Sequence, residues 1–180
     1  MRFYTGLGDD GSTDLLGARV GKDDPRVETL GALDEATSAI GMGRSLAGSE
    51  RVAADLIEVQ RDLYRIMAEL AFTPELRPAS YVFDDDRIAW LETETDDLAA
   101  TVALPREFVL PGESPPGAAL DVARTIVRRA ERQVVVLARD GHEVNPHILG
   151  YLNRLSSLLF IAARVEDAAA GSAPRRAKSR

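Results

Sequence analysis

Val52, Leu56, Val59, Leu63, Ile66 and Leu70 follow one another at alternating steps of four and three. On a helix this spacing gathers all of them into one narrow stripe, the seam with which a helix packs at a shallow angle in a bundle. A strand would scatter them over both faces. A similar rhythm recurs in Val27, Leu30, Leu33, Thr37 and Ile40; in Ile88, Leu91, Thr95, Leu98 and Val102; in Ala123, Ile126, Val127, Ala130, Val134 and Leu137; and in Ile148, Leu152, Leu155, Leu159 and Ala162. No strand-length alternation and no internal repeat interrupts these segments. The expected fold is therefore all-α, an up-and-down five-helix bundle over residues 25–170. A glycine-rich segment, 1–24, belongs to the same domain, and the polar, basic tail 171–180 is expected to be disordered.

The punctuation agrees. Asp23 or Asp24 with Pro25 starts the first helix, and Gly41 and Gly43 are expected to end it. Pro74 and Pro78 bracket a loop to about Phe83, after which Asp84 to Asp86 can cap the third helix, where Trp90 lies off the seam and Glu92, Glu94, Asp96 and Asp97 form a solvated face. Leu104 to Gly117 breaks the pattern with four prolines and two glycines. Inside it, Phe108-Val109-Leu110 is an apolar island that reads first as a core plug and second as the cover of a site. Asp140-Gly141 stops the fourth helix, and Asn145-Pro146 starts the fifth.

Composition narrows the function. The chain has no cysteine, so it has neither a disulfide framework nor a thiolate metal site. His142 and His147 sit at a turn and a helix start and read as surface residues rather than ligands. A net charge of -7 argues against nucleic acid as a partner. No apolar run is expected to span a membrane and the N-terminus has no hydrophobic signal core, so the expectation is a cytoplasmic protein. An anionic ligand would need a local basic pocket.

Such a pocket has candidates. Arg124, Arg128, Glu131 and Arg132 lie along a second stripe beside the buried seam of the fourth helix, where guanidinium groups one turn apart can clamp phosphate or carboxylate. Taken alone, the stripe reads first as ordinary surface salt bridges and second as a ligand clamp. Thr5 to Lys22 is dense in Gly, Ser, Thr and Asp and reads as a loop or short extended segment. Its glycines can turn backbone N–H groups toward a phosphate, Ser12 and Thr13 add hydroxyls, Lys22 adds a charge, and Asp9 and Asp10 could hold hydrated magnesium. It is not a P-loop, because no apolar strand precedes it. Asp34 and Glu35 stand mid-helix, where Asp is a poor helix former, and an arginine on a facing helix is the obvious partner for Asp34.

Several separated blocks together resemble the PduO-type ATP:cob(I)alamin adenosyltransferases. They are Thr5-Gly-Leu-Gly-Asp-Asp-Gly-Ser-Thr, Arg19-Val-Gly-Lys22-Asp-Asp, Gly31-Ala-Leu-Asp34-Glu35 with Ser38-Ala-Ile-Gly41, Phe108-Val-Leu-Pro-Gly112, Ala123-Arg124 through Arg128-Arg-Ala-Glu131-Arg132, Val144-Asn-Pro, and Tyr151-Leu-Asn153-Arg154-Leu-Ser156. They occur in the family's order along nearly the whole chain. The resemblance implies a homotrimer with active sites at the subunit interfaces. It places Thr5, Gly6, Gly8, Ser12, Thr13 and Lys22 around the triphosphate of ATP, with Arg128, Glu131 and Asn153 completing the nucleotide pocket. It pairs Asp34 with Arg124 across the subunit boundary, and it makes Phe108 the aromatic that displaces the corrinoid's lower axial ligand.

The implied reaction is attack of cob(I)alamin on the 5′ carbon of ATP, with Mg2+ and with Arg124, Arg128, Asp34 and Phe108 as the catalytic set. The implied partners are a flavin-dependent reductase and an adenosylcobalamin-dependent enzyme. Four positions depart from the family pattern: Ser157 stands where Asp is usual, Glu113 where a second glycine is, Asp121 where His is common, and Leu7 at a usually polar position. Loss of the carboxylate at 157 removes a partner for the pocket's arginines, which Asp121 could supply from elsewhere. The alternative reading is a noncatalytic trimer that binds nucleotide or corrinoid.

Overall fold

The computed structural model describes residues 4–178, and among these the chain forms five α-helices and one short hairpin. Helix α1 spans Pro25–Leu46, α2 Glu50–Ala71, α3 Asp86–Ala99, α4 Pro115–Arg139 and α5 Pro146–Ala169. Helix α1 packs on α2 and α4, α5 packs on α4 and α3, and ion pairs from α2 to α3 close the ring. The all-α expectation holds for the body of the molecule. The glycine-rich segment departs from it: β1, Ser12–Leu15, pairs antiparallel with β2, Ala18–Gly21, in the register Thr13 opposite Val20. Gly17, at φ +113°, makes the turn that its neighbours could not.

The seams are buried as their spacing demands. Every member of the α2 stripe is in the core, as are Ala123, Val127, Ala130, Val134 and Leu137 of α4 and Ile148, Leu152, Leu155, Leu159 and Ala162 of α5. Each large member contributes roughly 2 kcal/mol by leaving water. Caps form at Asp24, whose side chain accepts from the Arg26 N–H, and at Asn145, which accepts from His147. At α3 the cap position is Asp85, without a side-chain bond. Gly141, at φ +91°, ends α4.

Two boundaries differ from the sequence reading. Helix α1 does not end at Gly41 and Gly43 but continues to Leu46. A Cβ on Gly43 would lie 2.7 Å from the Leu120 Cδ2, so this glycine is a close-approach point between α1 and α4 rather than a terminator. The tail differs as well. The Leu110 N–H donates to the Arg175 carbonyl at 2.8 Å and the Ala177 N–H to the Phe108 carbonyl at 2.8 Å, so residues 175–177 meet the Phe108 loop in an isolated antiparallel bridge. The loop offers backbone groups that no helix satisfies, and the tail takes them up.

Helix α5 is the axis of the core. By length and composition it could cross a membrane, contrary to the expectation that no run reaches that size. In the bundle most of it is buried, and Arg164, Glu166 and Asp167 are enclosed near its C-terminal end. Trp90 lies partly buried with the Arg87 guanidinium 4.2 Å from its ring centroid.

Candidate active site

The apolar stripe of α4 faces the core, which turns the neighbouring charged stripe toward the surface beside α5. Arg128 is exposed there and has no ion-pair partner among the described residues, so the stripe is not consumed by surface salt bridges. Glu131 accepts from the Asn153 Nδ2 at 3.2 Å, which joins α4 to α5 at the second polar position of each. Arg124 and Arg128 line a cleft of about 450 Å³ together with Thr95, Ser156, Ser157 and Phe160. Ser157 faces this cleft without a charge, where a carboxylate would stand against both arginines.

A second cleft, about 460 Å³, lies under the Phe108 loop and is lined by Phe108, Val109, Asp121, Arg124, Phe160 and Arg164. Arg124 and Phe160 therefore wall both clefts. Phe108 is 91 % exposed, which overturns its reading as a core plug. Its ring stands in the mouth of this cleft rather than in the bundle core.

The glycine-rich segment builds a separate cradle. Gly6 and Gly11 take positive φ, and the Asp9 and Gly11 N–H groups bond back to Gly6 and Gly8. Lys22 reaches over this loop and donates from Nζ to the Gly8 carbonyl at 2.7 Å. A Cβ on Gly8 would meet the Ser12 carbonyl at 3.0 Å and the Lys22 Nζ at 3.1 Å, so the loop closes tightly around this glycine. Thr5 and Gly6 are exposed, with the Thr5 hydroxyl accepting from the Leu7 N–H, while Ser12 and Thr13 are half-buried on β1. Arg19, which residue patterns alone did not single out as a site residue, is the hub: it donates to the Leu7 carbonyl at 2.5 Å and to Asp14 at 3.0 Å, and stands 3.5 Å from Asp10.

Asp10 is committed to this scaffold. It accepts from the Ser12 hydroxyl and N–H at 2.6 and 2.9 Å, bonds that hold its carboxyl below the ordinary range, with Arg19 adding to the effect. The Asp9 and Asp10 pair is thus not arranged as a metal centre, and no group of three or more His, Asp or Glu side chains among the described residues could hold a metal. His142 and His147, both half-buried, belong to no such group.

Within the chain the hairpin and the α4–α5 polar residues stay apart. The hairpin packs on the end of α2, through the Leu16 N–H to the Ala71 carbonyl and the Thr73 N–H to the Leu16 carbonyl, and no hydrogen bond or ion pair among the described residues links it to Arg128, Glu131 or Asn153. Asp34 is exposed and has no ion-pair partner among the described residues. Its neighbour Glu35 instead pairs with Arg129 of α4, and Arg124 pairs with Asp121.

The profile of the family described as cobalamin adenosyltransferase matches residues 3–166. This chain belongs to that family. It is 39% identical over 175 residues to a corrinoid adenosyltransferase of Bacillus subtilis, covering 95% of this chain and 89% of the relative. It is 38% identical to the corrinoid adenosyltransferase PduO of Salmonella typhimurium, with 96% of this chain covered but only about half, 52%, of that relative. Among solved structures it superimposes with a TM-score of 0.91 and 34% identity on a variant PduO-type ATP:corrinoid adenosyltransferase from Lactobacillus reuteri complexed with cobalamin and ATP, over 99% of this chain and 100% of the other. The five-helix architecture is the family's.

Sequence reasoning missed the buried partners. Arg164, Asp167 and Asp62 were not singled out, although a charge on an otherwise apolar helix face, as with Arg164 between Ala163 and Val165, is itself a signal for enclosed pairing. Phe160 was also missed, because an aromatic in an apolar helix reads as core.

Proposed function

We propose that the chain transfers the 5′-deoxyadenosyl group of ATP to the cobalt of cob(I)alamin, giving adenosylcobalamin and inorganic triphosphate. The observation that carries this reading is the wall shared by two clefts: Arg124 and Phe160 separate an arginine-lined cleft from one roofed by an exposed phenylalanine. Arg124 and Arg128 suit the first cleft to a polyanion, and Phe108, Val109, Pro111 and Phe160 give the second an apolar surface for a ring system among its charged groups. The clefts meet where a bond between the two ligands would form.

In this reaction the Co(I) electron pair attacks the 5′ carbon, the carbon–oxygen bond breaks, and its electrons leave on triphosphate. The corrinoid is the nucleophile, so the protein needs none. Its tasks are to set the carbon in line with cobalt and to stabilise charge growing on the leaving oxygen. Arg128 and Lys22 serve the second task, with the loop of Thr5, Gly6, Gly8, Ser12 and Thr13 around the phosphates and Glu131 and Asn153 holding the nucleoside end. Phe108 covers the cobalt's lower face and keeps water and the lower ligand away. Because Asp10 is already engaged, magnesium enters with ATP as part of the substrate rather than as a resident ion.

The separation of the two half-sites within a protomer supports a homotrimer in which the hairpin of one subunit completes the arginine cleft of the next, with Asp34 reaching Arg124 across the boundary. The reaction also needs a supplier of electrons to the corrinoid, a flavin-dependent reductase, and a consumer of adenosylcobalamin. We place it in the cytoplasm.

The test is anaerobic absorbance of the protein with MgATP and chemically reduced cobalamin. Loss of the Co(I) band, appearance of a light-sensitive alkylcobalamin and stoichiometric triphosphate are expected. ATP binding without product would turn the assignment to a noncatalytic binding trimer, with Ser157 in the arginine cleft as the reason.

A further inference from the structure

Arg124 does not stand alone in its wall. Its Nε donates to the Asp121 Oδ1 at 3.2 Å, and the other oxygen of that carboxylate accepts from the Arg164 Nη2 at 2.7 Å. Arg164 is 2 % exposed and Asp121 4 %. Arg164 also donates from Nε to the Asp167 Oδ2 at 3.0 Å, and the Asp167 Oδ1 accepts from the Ser114 hydroxyl at 2.7 Å. Ser114 caps α4 at the end of the Phe108 loop. A continuous chain of charged hydrogen bonds thus runs from the base of that loop, through the core, to the guanidinium in the wall between the clefts.

Charge matching separates a structural pair from something more. Asp167 alone would neutralise Arg164, and a closed buried pair would need no third or fourth member. Asp121 extends the cluster outward to Arg124, whose side chain is 29% exposed and reaches both clefts. The bond to Asp121 uses only the Nε edge. A guanidinium has five N–H donors in a fixed plane, so the Nη groups stay available to a ligand or to a carboxylate of another subunit, with their direction already set.

We propose that Arg164 is a positioning residue for this active site, acting through Asp121 to fix the plane of Arg124. Asp121 thereby supplies from inside the bundle the carboxylate that position 157 lacks. The inference rests on the site reading above, in which Arg124 belongs to the catalytic set.

The test combines Asp121→Asn and Arg164→Lys with Arg124→Ala in the full chain. Asp121→Asn keeps shape and loses charge, while Arg164→Lys keeps charge and loses the planar fork. Each single variant is expected to lower the rate of adenosylcobalamin formation by roughly tenfold, a coupling ordinary within one ion-pair network. ATP affinity by calorimetry should stay within about twofold, because Arg128 and the hairpin are untouched, and a collapsed structure would not preserve it. In the Arg124→Ala background neither substitution should cause further loss. The same tenfold loss in that background, a loss of ATP affinity in step with the rate, or full activity of Asp121→Asn would overturn the proposal. If Arg164→Lys does not fold, the Asp121→Asn cycle decides alone. Full activity of Arg124→Ala itself would overturn the site reading and this inference with it.

Discussion

Two buried charge clusters hold this bundle, and they are built alike but end differently. On the α2–α3 side, Asp62 accepts from the Arg87 Nε at 2.9 Å and from the Tyr151 hydroxyl at 2.8 Å, with Trp90 stacked on Arg87. Burial pushes the Tyr151 phenol well above its usual range, and the Asp62 carboxylate beside it adds to the effect. On the α4–α5 side, Asp121 and Asp167 flank Arg164. The first cluster ties three helices together beside a cleft of about 780 Å³ that Asp62 and Arg87 line on the α2 side; the second ends at Arg124, which walls two clefts. Both bear the cost of taking charge out of water, so burial alone does not mark function. What sets the second apart is that its last member, Arg124, stands in the wall common to the two clefts of the proposed site.

The sharpest way to break this contrast is Asp62→Ala. It leaves the Arg87 guanidinium and the Tyr151 hydroxyl without their acceptor, and stability should fall by about 3–5 kcal/mol. Urea denaturation measures it. The turnover of the remaining folded protein should be unchanged, and a parallel fall in turnover would show that this cluster also reaches the site.

The mirror image is Arg128→Ala. This arginine is exposed and has no ion-pair partner among the described residues, so its removal should leave the urea midpoint where it was. Turnover should drop by about 10²–10³, the scale of losing one donor aimed at developing charge. A shifted midpoint with normal turnover would reverse the roles given to surface and core.

Gly43→Ala tests the α1–α4 contact without touching any charge. The added methyl would sit 2.7 Å from the Leu120 Cδ2, and Leu120 is fully enclosed one residue from Asp121. The expected cost is about 1–3 kcal/mol by thermal or urea unfolding, as for other overpacked cores. A neutral result would mean that Leu120 can yield and that α1 and α4 are not locked together there.

The same contact shows what the sequence could and could not convey. The stripes of α2, α4 and α5 were legible because a helical core repeats, and each repeat adds to the signal. Gly41 and Gly43 read as a stop because glycine disfavours helix locally, whereas the helix continues because a second helix needs the space. Arg124, Arg128, Glu131 and Arg132 were legible as a polar stripe beside an apolar one, whereas Asn153, on another helix, came only with the family resemblance. Arg164 was not, since its meaning depends on Asp121, forty-three positions away in the chain. The hairpin escaped for a different reason: its strands are four residues each and too short for alternation to register. Phe108 misled in the ordinary way, because its hydrophobicity predicts burial whereas its ring is almost wholly exposed.

The smallest effect lies on the structural side, at Asp55 of α2. Its Oδ2 is buried with no hydrogen-bond partner, and the neighbouring Arg51 is bonded instead to Glu94 and Asp97 of α3. Burial, reinforced by the Glu94 carboxylate and only partly opposed by Arg51, pushes the Asp55 carboxyl up to about 6 from an ordinary 3.8. A raised carboxyl pKa means that the folded state binds the proton more tightly than the unfolded state. Between about pH 4 and 6 the folded chain therefore carries more protons, and this group's contribution to stability falls as pH rises through that window, then stays flat above it. Asp55→Asn removes the charge that is costly to bury. Allowing for the group's partial exposure, the variant should be more stable than the parent by about 1 kcal/mol at pH 7.5. Urea midpoints of the two proteins should converge toward pH 4, where the parent's Asp55 is also neutral. A gap that does not change with pH would place the effect in packing rather than charge, and a parent more stable at pH 7.5 would mean that Arg51 pairs with Asp55 after all.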